Sequence, residues 1–141
     1  GTNYRAYQEG PVTFRYAVQA RRAADAGAGP SGRFGTALAQ PLLAVAAAEG
    51  PAPSAASFLQ VEPADVVVET LKPSDDGKAW IVRLFGASGL PRTVRLAWSA
   101  AARAGRTWRS NLAEEALAPA DAGITVEGWE LVTLRVEREL V

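Results

Sequence analysis

Hydrophobic and polar residues alternate along most of this chain with a period of two. The string VTFRYAVQA (12–20) sets Val12, Phe14, Tyr16 and Val18 on one side of a strand, with Thr13, Arg15 and Gln19 largely on the other. The same pattern marks SFLQV (57–61), DVVVETLK (65–72), AWIVRLF (79–85) and RTVRLAW (92–98). Glu62-Pro63 separates the first two of these four, because proline has no N–H to give to a ladder. In RTVRLAW, Val94, Leu96 and Trp98 share one face and Thr93, Arg95 and Ala97 the other. RTWRSNL (106–112) reads as a short strand, and the tail WELVTLRVE (129–137) opposes Val132, Leu134 and Val136 to Thr133, Arg135 and Glu137. Many short strands divided by turn signals predict an all-β fold, a sandwich or a barrel, and of the two an antiparallel β-sandwich of roughly eight strands is expected.

One region breaks the pattern. Residues 21–45 predict a loose loop: ADAGAGPSG (24–32) is built of small residues, and GRFGTALAQPLL (32–43) has room for a helical turn before Pro41. AAAEGPAPSAAS (46–57) has the composition of a solvated connector. There is no internal repeat, and 141 residues fit one domain, so residues 1–141 are expected to form a single sandwich. The 48% hydrophobic content overstates the core, because 29 residues are alanine and alanine buries little area. The Val/Ile/Leu strands, four Trp, three Tyr and four Phe are the better anchors. No methionine occurs, even at position 1, so Gly1 reads as a cloning scar and the chain as a piece expected to come from a longer multidomain enzyme.

Charge and missing residue types narrow the chemistry. Net charge is zero and no basic stripe is interleaved with aromatics, so nucleic acid is not an expected partner. No apolar run approaches the ~20 residues that span a bilayer, and no signal-peptide pattern opens the chain. A membrane is therefore not expected as a partner, and the compartment stays open with the cytoplasm slightly favoured. Cysteine and histidine are both absent. That removes a disulfide framework, a zinc site of the usual ligand types and an imidazole base from this chain.

The acidic doublets are the visible catalytic candidates. Glycoside hydrolysis uses two carboxyl groups about 5–10 Å apart across a sugar. In extended chain, neighbouring side chains point to opposite faces, so neither Asp75-Asp76 nor Glu114-Glu115 makes such a pair alone. PSDDG is turn chemistry instead, with Gly77 supplying positive φ and an aspartate bonding local N–H groups. A calcium loop needs carboxylates at alternate positions, which this loop lacks. Arg83 interrupts an apolar run on the face of Ile81 and Phe85. It is expected to pair with an aspartate of the preceding turn, the alternative being an edge arginine reaching to water. Most Trp on alternating strands are core, Trp98 among them. Trp108, flanked by Arg106, Arg109 and Asn111, is the candidate for an exposed sugar platform.

Taken together, these strings resemble the C-terminal β-domain of family 38 glycoside hydrolases, the α-mannosidases. Ser57-Phe58 leads through a strand to a Lys-x-x-x-Asp-Gly turn (Lys72, Asp76, Gly77), followed by an apolar strand holding Arg83. SNLAEEAL (110–117) is similar to the family's Asn-Leu-x-Glu segment, at Asn111 and Glu114, and WELVTLRVE to its closing strand. TNYRAYQEGPVTFRYAV (2–18) and QPLLAV (40–45) also resemble it. The chain departs where many members carry a Pro-His segment, having QARRAADAGAGPSG and no histidine. The resemblance places the zinc and the Asp nucleophile in an upstream catalytic domain, so this chain is expected to hold no catalytic residue, metal or cofactor.

Three functional readings follow. The first is a non-catalytic domain that packs on the upstream catalytic domain of the same polypeptide, an α-mannosidase-like retaining enzyme. The second is an autonomous carbohydrate-binding module. The third is a structural domain that assembles through a strand edge, as a homo-oligomer.

Overall fold

The computed structural model of the chain describes residues 9–40, 42–46, 56–120 and 123–139. Eight strands follow in chain order: β1 (Leu59–Glu62), β2 (Val66–Pro73), β3 (Ala79–Gly86), β4 (Arg92–Trp98), β5 (Ala104–Ser110), β6 (Ala116–Pro119), β7 (Ile124–Val126) and β8 (Leu131–Arg138). They form two antiparallel sheets, ordered β1-β4-β7 and β2-β3-β8-β5-β6. The architecture is the antiparallel β-sandwich that the alternation predicts.

The period-two pattern explains which faces meet. Val82 and Leu84 of β3 lie in register with Leu134 and Val132 of β8, and all four are buried in the cluster between the sheets. Val94 of β4 with Ile124 and Val126 of β7 closes that cluster from the smaller sheet. Fully burying a Val, Leu or Ile side chain is worth about 1.5–3 kcal/mol, so these strands carry most of the stabilisation. Thr93, Arg95 and Ala97 face solvent, as expected, while Trp98 is half-buried against the core. Two polar contacts also tie the sheets. Arg92 of β4 donates from Nε to Asp65 Oδ2 at 2.7 Å, and Arg109 of β5 donates to the Thr125 carbonyl at 2.6 Å.

Three segments differ from the sequence reading. Residues 12–20 form no strand; Phe14, Tyr16 and Val18 are 72%, 86% and 98% exposed. Alternation states which side a strand would bury, but a strand also needs a neighbour, and none in the described chain pairs with this segment. The expected helical turn is a helix of 12 residues, α1 (Ala28–Ala39), whose end at Gln40 comes just before Pro41. β6 and β7 were hidden because ALAP and ITV are too short to show a period. Within the connector expected at 46–57, residues 47–55 lie outside those described, as does Gly1.

The ends of β3 and β7 meet backbone to backbone. Trp129 N–H donates to the Gly86 carbonyl at 2.8 Å, and Gly86 N–H to the Glu130 carbonyl at 3.0 Å. A Cβ on Gly86 would sit 2.2 Å from the Glu127 carbonyl oxygen, and one on Gly128 would sit 2.2 Å from the Gly89 carbonyl carbon. Neither partner is a side chain that can swing away. Gly128→Ala is therefore expected to destabilise the fold by about 2–4 kcal/mol in urea denaturation. Gly35→Ala in α1, where nothing lies within 4 Å, should stabilise it by about 0.5–1 kcal/mol.

Candidate functional site

The motif residues Lys72, Asp76, Gly77 and Glu114 converge at one end of the five-stranded sheet. β2 and β3 are joined by a turn in which Gly77 N–H donates to the Ser74 carbonyl at 2.9 Å, with Gly77 at φ +71°. The buried Ser74 hydroxyl donates to Asp76 Oδ1 at 2.6 Å and accepts the Ala79 N–H at 2.9 Å. Asp76 Oδ1 also accepts the Lys78 N–H at 3.0 Å. This is the turn chemistry that PSDDG predicts.

Two long-range ties fix the turn to the sheet. Arg135, pointing outward from β8, donates to Asp76 Oδ2 at 2.6 Å and to the Glu114 carbonyl at 3.3 Å. Glu114 Oε2 accepts the Asp75 N–H at 2.8 Å, and its Oε1 lies 2.5 Å from Lys72 Nζ. Lys72 also reaches Asp75 Oδ1 at 2.7 Å. Glu114 is presented by a small loop in which it takes a left-handed conformation, φ 66°. Asn111 shapes that loop, donating from Nδ2 to Glu115 Oε2 at 2.7 Å and accepting the Glu115 N–H at 3.0 Å. Across the outer face, Lys72, Ile81 and Arg135 stand in one register row, and Ile81 between the two cations is fully buried.

The electrostatics follow from these contacts. The Ser74 hydroxyl, the Lys78 N–H and Arg135 hold the Asp76 carboxyl far below its usual range. Lys72 and the Asp75 N–H lower Glu114, overcoming the burial that would raise it. Asp75, then Glu114, raise Lys72 above its ordinary value. A general acid for glycoside hydrolysis needs a carboxyl moved upward. Asp76 and Glu114 are moved the other way, and Asp75 and Glu115 are bonded to Lys72 and Asn111. The shallow cleft of about 420 Å³ beside these carboxylates is a set of structural ion pairs. Among the described residues, no group of three or more His, Cys, Asp or Glu is placed to hold a metal ion.

The remaining candidates lie elsewhere. Ser57 donates to the Leu59 carbonyl at 2.8 Å, and Phe58 packs edge-on to Trp80 and Trp98 at 5.1 and 6.0 Å between ring centres. Arg83 makes no ion pair with the turn aspartates, because Lys72 and Arg135 occupy them. Nor is it an edge arginine, since β3 lies between β2 and β8. Trp108 is not the open platform expected of it. It is half-buried, with Arg106 4.7 Å over its ring and its indole N–H donated to Glu137 Oε1 at 2.9 Å. Trp129, at 66%, is the most exposed of the four Trp.

The sign of the carboxylate shifts makes the cluster's role measurable. Groups that lose their protons more readily in the fold stabilise it fully above their unfolded values, here 3.8 for Asp and 4.5 for Glu. That contribution falls away as pH drops through the lowered folded values. Asp76→Asn should reduce the melting temperature at neutral pH, and the gap from the parent chain should close as the melts are taken progressively below pH 4. A gap independent of pH would mean that the Asp76 charge stabilises nothing.

Residues 65–134 match the family described as glycosyl hydrolases family 38 C-terminal beta sandwich domain. No curated protein and no solved structure matches the chain. The matched span begins at the approach to β2 and ends inside β8, and it contains Lys72, the Asp75-Asp76-Gly77 turn and Glu114. Over residues 65–134, therefore, the chain is similar to the family 38 glycosyl hydrolase C-terminal β-sandwich domains.

Proposed function

We propose that this chain is the non-catalytic C-terminal sandwich of an α-mannosidase-like retaining glycoside hydrolase. In this reading it packs on the catalytic domain of the same polypeptide and supports it. The observation that carries the reading is the fate of the motif carboxylates. In a domain matched to a glycosidase family, the acidic residues of the most distinctive turn, Asp75 and Asp76, are consumed by Lys72, Ser74 and Arg135. A domain so arranged contributes a fixed surface, and cleavage of the glycosidic bond belongs to another part of the protein. The zinc implied by the family resemblance would be held there.

The test has two parts. The gene is sequenced upstream of the Thr2 codon, and the whole encoded polypeptide is assayed on an aryl α-mannoside beside the 141-residue chain alone. The expected result is activity from the whole polypeptide, none from the chain, and a lower inactivation temperature when the sandwich is deleted. Hydrolysis by the isolated chain, abolished by Asp76→Asn or Glu114→Gln, would overturn the proposal.

A further inference from the structure

A second cleft, of about 480 Å³, opens on the outer face of the five-stranded sheet away from the turn cluster. It is lined by Glu69, Thr70, Arg83, Phe85 and Leu131, and its volume lies within the ~300–1,000 Å³ usual for small-molecule sites. The sheet explains why these side chains gather. Thr70 pairs with Arg83, and Phe85 with Leu131, in neighbouring register rows. Glu69 is the extra residue of a bulge between Val68 and Thr70, a device that re-aims a side chain. Trp129 stands beside Phe85, their ring centres 6.2 Å apart.

The polar groups of this cleft are uncommitted. Arg83 Nε is buried without a hydrogen-bond partner, the kind of orphan that calls for an explanation. Among the described residues Arg83 forms no ion pair, and Glu69 lines the same cleft without forming one. A donor and an acceptor of opposite charge thus flank an apolar floor. An anionic ligand would meet Glu69 and a cationic one Arg83, so the arrangement discriminates against both. It suits a neutral ring bearing adjacent hydroxyls, one donating to the carboxylate and one accepting from the guanidinium. The C–H face of that ring would lie on Phe85, Leu131 and the half of Trp129 left open.

We propose that the cleft of Glu69, Thr70, Arg83, Phe85 and Leu131, bordered by Trp129, is a binding subsite for a neutral pyranose. Its role is to hold sugar, not to cleave it. The inference stands independently of the accessory-domain reading, because it concerns what this surface binds, whether or not a catalytic domain adjoins it.

The experiment is a titration of the ¹⁵N-labelled 141-residue chain with methyl α-mannopyranoside, methyl β-glucopyranoside and, separately, sodium acetate. At least one glycoside should move the Arg83 Nε–H and the Trp129 indole N–H together, saturably and with one dissociation constant. Trp129→Ala should weaken that binding by about tenfold, by loss of the aromatic face. Glu69→Gln, at an exposed position away from the core, should weaken it with the remaining spectrum unchanged. The proposal is wrong if neither glycoside gives a saturable shift. It is also wrong if acetate alone moves Arg83, since the cleft would then be a receptor for carboxylates.

Discussion

The two sheets are pinned by a contact in which no side chain takes part. Where β3 ends and β7 leads into β8, Gly86 lies against Glu127 and Gly128 against Gly89, each closer than any residue with a Cβ allows. The smaller sheet has only three strands, and β7 only three residues, so little else fixes its distance from the larger one. Side-chain packing of Val94, Ile124 and Val126 against β3 and β8 then supplies the energy. The Arg92–Asp65 and Arg109–Thr125 contacts close the flanks of a spacing that the glycines have already set.

At the far end of β3 the constraint is electrostatic. Lys72 and Arg135 bring two cations to the outer sheet face on either side of Ile81, and like charges there would repel. The turn resolves this by returning Asp75 and Asp76 to them, and the 111–115 loop adds Glu114 from a third direction. Two cations and three carboxylates are thereby interleaved. A doublet that reads as turn chemistry when seen as a string is also the fastening between two hairpins when its partners are located.

The legible parts of the fold were those whose period is enforced by burial on one side. β4 and β8 showed their inner faces in Val94, Val132 and Leu134, and the structure buries all three, whereas in β3 the face of Arg83 is the one the sequence singles out and Val82 and Leu84 of the other face enter the core cluster. Residues 12–20 alternate as cleanly and form no strand, because periodicity does not encode the presence of a partner. The turn was legible because proline, aspartate and glycine have local preferences. The fastening was not: Arg135 lies 59 residues from Asp76, and nothing in either neighbourhood names the other. Proximity in sequence points Arg83 to that turn, but Arg135 and Lys72 take the aspartates through the sheet register. The exposed Trp is Trp129 and not Trp108 for a similar reason. Trp108 is on a strand, but Arg106 and Glu137 cover it, whereas Trp129 sits in a turn at φ 64° that carries its ring outward.

The position of β8 bears on how this domain is made. It is the last of the eight strands to be synthesised, yet it occupies the middle of the larger sheet, hydrogen-bonded to β3 on one side and β5 on the other. Until it emerges, β3 presents an unsatisfied ladder, and β5 and β6 form a detached ribbon with no inner layer to rest on. A growing chain therefore passes through a stage in which much of its strand-forming sequence exists but the central seat of the sheet is empty. Such a stage favours chaperone capture or edge-to-edge association over productive collapse. Folding has to wait for its keystone, and the dominance of long-range pairings makes that final step slow compared with that of a helical domain of the same size.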